Sequence, residues 1–246
     1  LFRSVNRLGW LDIADRMLPA VPRLKALAEG AMAAGCTQVV LLGMGGSSLA
    51  PEMFARTLRR SGYPGLTVLD STDPGAVLGR QARLEPEHTL FVVSTKSGGT
   101  VETLSLGKYF YTWMVEQLGA KRAGQHFWAI TDPGSSLVDW AQSLGFQQIL
   151  LADPNIGGRY SALSLFGLVP AALVGVDIER LLRSAVAAAE ELGPGRPAAD
   201  NPALLLGAAM GTLALAGRDK LSVFTSPALA SFGDWVEQLV AESLGK

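Results

Sequence analysis

The sequence predicts an α/β fold: a doubly wound, five-stranded parallel sheet followed by helices and the start of a second α/β domain. Three observations carry that prediction. Short β-rich runs alternate with helix-length stretches, the runs are apolar at consecutive positions as strands buried on both faces require, and the alternation stops near residue 160.

Residues 1–30 read as a helical lead-in. Gln38–Leu42, Leu66–Asp70, Thr89–Ser94, His126–Thr131 and Gln147–Leu151 are the predicted strands, with helices near 49–60, 74–84, 101–118 and 135–144 between them. Helices are then expected at 161–174, 178–193 and 202–216; Leu181, Leu182, Ala185, Val186 and Ala189 give the second an apolar face. Gly193-Pro194-Gly195-Arg196-Pro197 breaks the chain. Leu221–Thr225 reads as one more strand and Ser231–Lys246 as one more helix. The expected domains are therefore a lead-in at 1–30, a first α/β domain at 31–176, a helical connector at 177–218 and the unfinished opening of a second α/β domain at 219–246. The chain starts at Leu1, without an initiator Met, and stops inside an apparent helix, so it reads as a piece of a longer polypeptide.

Composition narrows the function. Of the 246 residues 48% are hydrophobic and 17% charged, which builds a core and excludes disorder. Lys+Arg number 21 against 22 Asp+Glu, a net charge of −1, so the electrostatic footprint of a nucleic-acid binder is missing. The single cysteine, Cys36, has no internal partner, and a cytoplasmic setting is expected. The apolar runs Ala162–Val176 and Ala203–Gly217 fall short of the roughly 20 residues of a membrane span, and no signal peptide opens the chain. No Gly-x-Ser-x-Gly nucleophile elbow and no clustered His/Cys metal set is present in the sequence, and no cofactor is expected.

The turns after the strands come in two kinds. Thr72-Asp73-Pro74-Gly75 and Thr131-Asp132-Pro133-Gly134 follow the second and fourth strands, and both fit helix starts with an Asp N-cap before Pro. The first and third strands run instead into Gly43-Met44-Gly45-Gly46-Ser47-Ser48 and Thr95-Lys96-Ser97-Gly98-Gly99-Thr100. In a 2-1-3-4-5 strand order those two strands are neighbours at the switch point, where ligands bind, and the capped turns lie farther out. The first loop offers backbone N–H groups at a helix start, a phosphate-binding arrangement, although it matches neither the Walker nor the dinucleotide pattern. Asp70, ending the second strand, keeps a nicotinamide dehydrogenase as an alternative. The second loop adds hydroxyls and a lysine, matching the oxygens and charge of a phosphate monoester. Arg159, in Gly157-Gly158-Arg159-Tyr160-Ser161, stands at the same edge, where its charge suits a developing oxyanion. His88 and His126 begin their strands and lie at the far edge; Glu102 complements the dipole of its helix. Trp113, Trp128, Trp140 and Trp235 read as core.

Together these stretches resemble the phosphoglucose isomerase family, built from two sugar-isomerase (SIS) domains of flavodoxin-like, three-layer αβα form. Gly43–Leu49 resembles its first glycine loop, Thr95–Thr103 its phosphate loop, Gly157–Ser161 its arginine segment and Glu242-Ser243-Leu244-Gly245-Lys246 the motif opening its second half. Leu41–Ser48, Leu69–Pro74 and Ala216–Lys220 are most similar to the isomerase part of bacterial transaldolase–isomerase fusions, which would account for the missing start. The resemblance implies that Thr95, Lys96, Ser97 and Thr100 hold a sugar phosphate, that Gly46 and Ser47 touch the sugar, and that Arg159 stabilises an enediolate. It departs from the family in Thr95, usually Ser, and in Gly99, usually Thr. The implied reaction interconverts glucose 6-phosphate and fructose 6-phosphate, with the base and the ring-opening residues expected beyond Lys246, and with a homodimer as the compatible assembly. A non-catalytic sugar-phosphate sensor using the same domain is the alternative from another class.

Overall fold

A computed structural model describes residues 7–245. Helices α1 (Ile13–Met17) and α2 (Val21–Ala33) precede β1 (Gln38–Gly43). Helix α3 (Leu49–Leu58) leads to β2 (Gly65–Leu69), and α4 (Pro74–Gln81) to β3 (Thr89–Ser94). Helix α5 (Val101–Leu118) and the single-turn α6 (Ala120–Ala123) lead to β4 (Phe127–Thr131), and α7 (Ser136–Ser143) to β5 (Gln148–Leu151). All pairings are parallel, in the order β2-β1-β3-β4-β5. The expected sheet and order are both observed, and Gly43 lies opposite Ser94 in the β1–β3 register.

The period of two along each strand sorts the core into two layers. Val39, Leu41, Leu90, Val92, Trp128 and Ile130 face α2, α3 and the later helices α8 (Leu165–Leu173) and α9 (Ile178–Leu192). Val40, Leu42, Phe91, Val93, Phe127 and Ala129 face α4, α5 and α7. Phe91 is fully buried, with its ring centroid 4.9 Å from those of both Phe110 and Phe127. On α9 the apolar face is carried by Ile178 and Leu182, with Leu181, Ala185 and Val186 against the core; Ala189 is exposed, one turn beyond the contact.

Helices α10 (Pro202–Leu215) and α11 (Phe232–Leu244) complete the described chain. The strand expected at Leu221–Thr225 is not formed. No strand among the described residues lies beside this run to pair with it, and β-propensity expresses itself only on a paired surface. Its side chains stay in solvent, Phe224 being 93% exposed. Helix α10 is well capped, Asn201 Oδ1 accepting from the N–H groups of Ala203 and Leu204 at 3.0 and 3.2 Å. Yet Leu204, Leu205 and Leu206 are each more than half exposed, and no residue of this helix joins the core. A helix apolar on every side belongs inside something larger. No helix among the described residues is long and apolar enough to cross a membrane.

One helix start also differs from expectation. Asp73 caps α4 as read, Oδ1 accepting from Ala76 N at 2.8 Å with Pro74 at the first helical position. Asp132 does not cap α7, whose N-cap is Ser135. Gly134, at φ 75°, turns the chain before the helix begins, and the Asp132 carboxylate pairs with an ammonium instead of a backbone N–H.

Candidate active site

Both glycine-rich loops leave the carboxyl ends of adjacent strands, as the strand order requires. After β1 the chain makes a tight turn over Gly45–Ser47, with Ser47 N and Ser48 N donating to Met44 O and Gly45 O. Ser47 and Ser48 are buried, and the Ser94 hydroxyl at the end of β3 donates to Ser47 O at 3.5 Å. Gly46 is needed for close approach: a Cβ there would lie 2.3 Å from Gly158 O. The contact joins the first loop to the arginine segment, and the Ser161 hydroxyl reinforces it at 3.1 Å from Gly46 O and 2.6 Å from Gly158 O.

The second loop is closed on itself. The Thr95 and Thr100 hydroxyls bridge its ends at 2.9 Å, and Ser97 Oγ accepts from Gly99 N at 3.2 Å. Gly98 has φ 70° and packs where a Cβ would fall 2.6 Å from Ser135 Cβ. Thr100 then serves as N-cap residue of α5. Among the described residues the main-chain N–H groups of Lys96, Ser97, Gly98 and Thr100 donate to no protein acceptor.

The two cations differ sharply. Lys96 Nζ lies 2.7 Å from both carboxylate oxygens of Asp132 and 3.2 Å from Asp153 O. Arg159 Nε donates to Ser243 Oγ at 2.9 Å, while its Cζ sits 4.5 Å from the centroid of the Tyr160 ring. Its terminal N–H groups meet no carboxylate among the described residues, so its charge remains available. Tyr160 stacks on Trp10 at 4.7 Å and its hydroxyl meets Ser243 Oγ at 3.0 Å. That hydrogen bond, with the Arg159 charge, lowers the Tyr160 phenol from its ordinary value against the opposing effect of burial.

Helix α11 brings residues that the sequence reading did not credit. The Gln238 amide packs against Gly45, whose φ is 52°, and its Nε2 donates to Glu242 Oε1 at 3.0 Å. Glu242 precedes Ser243, the partner of Arg159. Through Gln238, the Glu242 carboxylate is tied to the first loop, on the helix whose Ser243 holds Arg159. The signal was the four-residue spacing of Gln238 and Glu242, which puts both on one helix face. His88 and His126 lie at the opposite edge, against Gly35 O and Thr89 O at 2.8 and 3.1 Å. A cavity of about 700 Å³ adjoins the arginine segment but is lined by neither glycine-rich loop. Arg159 and Ser243 line it together with Trp10, Phe54, Trp235 and Leu244, and it is too apolar for a phosphate. Among the described residues no group of His, Cys, Asp and Glu gathers as a metal site.

Two glycine-rich loops at the switch point of a 2-1-3-4-5 sheet, the first packed against the arginine segment, define a doubly wound α/β domain of the class that binds ligands at that edge. The chain belongs to the phosphoglucose isomerase family, whose profile matches residues 13–246. It is 35% identical over 231 residues to the glucose-6-phosphate isomerase of Rubrobacter xylanophilus, covering 89% of this chain and 53% of that protein. Among solved structures, a hypothetical protein of Thermus thermophilus superposes with a TM-score of 0.87 at 31% identity, over 98% of this chain and 56% of the other. A glucose-6-phosphate isomerase of Chlamydia trachomatis shares the fold, with a TM-score of 0.75 at 23% identity over 90% of this chain and 43% of the other. The chain spans about half the length of the curated relatives it matches.

Proposed function

We propose that the chain is the phosphate-binding part of an aldose–ketose isomerase that interconverts glucose 6-phosphate and fructose 6-phosphate. What supports this reading is a phosphate loop with unengaged N–H groups and an Arg159 guanidinium that meets no carboxylate among the described residues, with the Glu242 carboxylate linked through Gln238 to the first loop. The N–H groups and the Thr95, Ser97 and Thr100 hydroxyls suit a phosphate dianion at the start of α5. Gly46 and Ser47 border the space in which the sugar would lie. Moving a proton between C2 and C1 builds negative charge on two oxygens of a cis-enediolate, and a preorganised guanidinium stabilises it. The proton itself needs a base, for which carboxylates and imidazoles are suited. The resemblance located that base beyond Lys246; Glu242 supplies a carboxylate within this chain, oriented by Gln238, and we assign it the role. Ring opening would draw on the half of the relatives' length that this chain does not span, and that half would also cover α10.

Calorimetric titration tests the reading. Fructose 6-phosphate should bind and unphosphorylated fructose should bind at least tenfold more weakly, with Thr100→Val narrowing the gap. Equal affinities for the two sugars would rule out a phosphate site in this crevice.

A further inference from the structure

Lysine at a phosphate loop ordinarily acts as a point charge on the ligand. Here that role is already taken. An ammonium has three N–H donors, and Lys96 Nζ has three acceptors: both oxygens of Asp132 at 2.7 Å and Asp153 O at 3.2 Å. Both side chains are largely shielded from solvent, Lys96 being 14% and Asp132 19% exposed. The Lys96 side chain thus runs from the end of β3 past the end of β4 to the end of β5.

The loop backbone is held on that same side. Thr95 N donates to Ile130 O and Asp132 N to Lys96 O, each at 3.1 Å, and Ser136 Oγ donates to Gly98 O at 2.9 Å. Carbonyls and ammonium face β4, and the N–H groups of Lys96, Ser97, Gly98 and Thr100 are left without protein acceptors. The anchor continues outward. The Asp153 carboxylate accepts from Asn155 N at 2.8 Å and pairs with Arg16 of α1. Burial by itself would raise the Asp153 carboxyl, but these hydrogen bonds and the charges of Arg16 and Lys96 outweigh it and hold it below its ordinary value.

We propose that Lys96 and Asp132 are positioning residues for the phosphate subsite. Their ion pair fixes the loop so that its N–H groups converge on the phosphate, and the Lys96 ammonium does not touch the ligand. The proposal rests on the phosphate reading above, and it makes the sign of one substitution decisive. If the ammonium bound phosphate directly, Asp132 would compete with the ligand, and Asp132→Asn would tighten binding. If the pair positions the loop, Asp132→Asn and Lys96→Met both weaken binding.

The test measures affinity of this chain for fructose 6-phosphate and for inorganic phosphate by calorimetry, and follows the wild type by NMR during the same titrations. Asp132→Asn and Lys96→Met should each weaken both ligands about tenfold or more, and Lys96→Met/Asp132→Leu should be no worse than the poorer single variant. Lys96→Arg, which keeps a cation opposite Asp132, should recover part of the loss. In the wild type, amide signals of Ser97, Gly98 and Thr100 should move on addition of phosphate while the Lys96 ε-methylene signals stay in place, a readout that needs no variant to fold. Tighter binding by Asp132→Asn, unchanged affinity in both single variants, or movement of the Lys96 ε-methylene signals would overturn the positioning role. Absence of any amide response to either ligand would instead remove the phosphate site, and this role with it.

Discussion

At the scale of single residues, local chemistry at the sheet edge divides groups that are engaged from groups that are available. Arg159 is held by Ser243 and by the Tyr160 ring but meets no carboxylate among the described residues, so its charge is unspent. In an isomerase of the relatives' full length, Arg159→Ala should lower kcat and kcat/KM together by roughly a hundredfold, the scale of a lost oxyanion donor, with KM little changed. Arg159→Lys should recover only part, since an ammonium lacks the planar fork. Steady-state kinetics decide: a raised KM at unaltered kcat would assign Arg159 to ground-state binding. Cys36 illustrates the opposite situation. Burial pushes its thiol up to about 11 and outweighs the main-chain hydrogen bonds near it. At pH 8 alkylation should therefore run on the order of a hundredfold slower than for a free thiol. Modification by iodoacetamide at the rate of glutathione would show that the pocket around Cys36 opens readily.

Elements turn the same local rules into geometry, and there two matching tetrapeptides part company. Asp73 caps α4 after β2, an outer strand of the sheet. Asp73→Ala should cost about 1 kcal/mol of stability, the worth of an Asp N-cap, and leave fructose 6-phosphate affinity as it was. Denaturant melts and a single titration measure both, and a change in affinity would mean that α4 reaches the site. Asp132 has the same neighbours in sequence yet pairs with Lys96 across the sheet. The tetrapeptides themselves do not distinguish the two; Ser135, where α4 has Ala76, offers a later cap, and the partner of Asp132 is brought by β3. The strands and the five-stranded order were legible, since runs buried on both faces and glycine turns are local signals. So were the places of Thr95, Thr100 and Arg159, which follow from which strand end each loop leaves. The engagement of Lys96 was not legible, nor the approach of Gln238 and Glu242, since α11 reaches the crevice only through tertiary packing against Gly45 and Arg159. The run Leu221–Thr225 failed for a related reason, strand character without a strand beside it.

On the scale of the whole molecule, the two halves of the chain differ in how their apolar surface is used. Across 38–151 the apolar residues of the central strands β1, β3 and β4 are buried between two helical layers, and Val92, Phe91 and Ile130 are fully enclosed. Across 202–229 leucines and a phenylalanine face solvent: Leu206 is 62%, Leu215 93% and Phe224 93% exposed. Large contiguous apolar patches mark surfaces that another body covers. If the half of the relatives' length outside this chain is that body, the chain by itself should show two linked behaviours. Amide exchange should be faster in 202–229 than in 38–151, because few buried contacts protect those helical hydrogen bonds. The chain should also self-associate as its concentration rises, and Leu206→Ser with Phe224→Ser should reduce that association while leaving the β1–β5 sheet and fructose 6-phosphate affinity intact. Sedimentation and hydrogen exchange on the same samples measure both. A chain that stays monomeric at high concentration, with α10 exchanging as slowly as β3, would show that this surface is already satisfied and needs no second half to cover it.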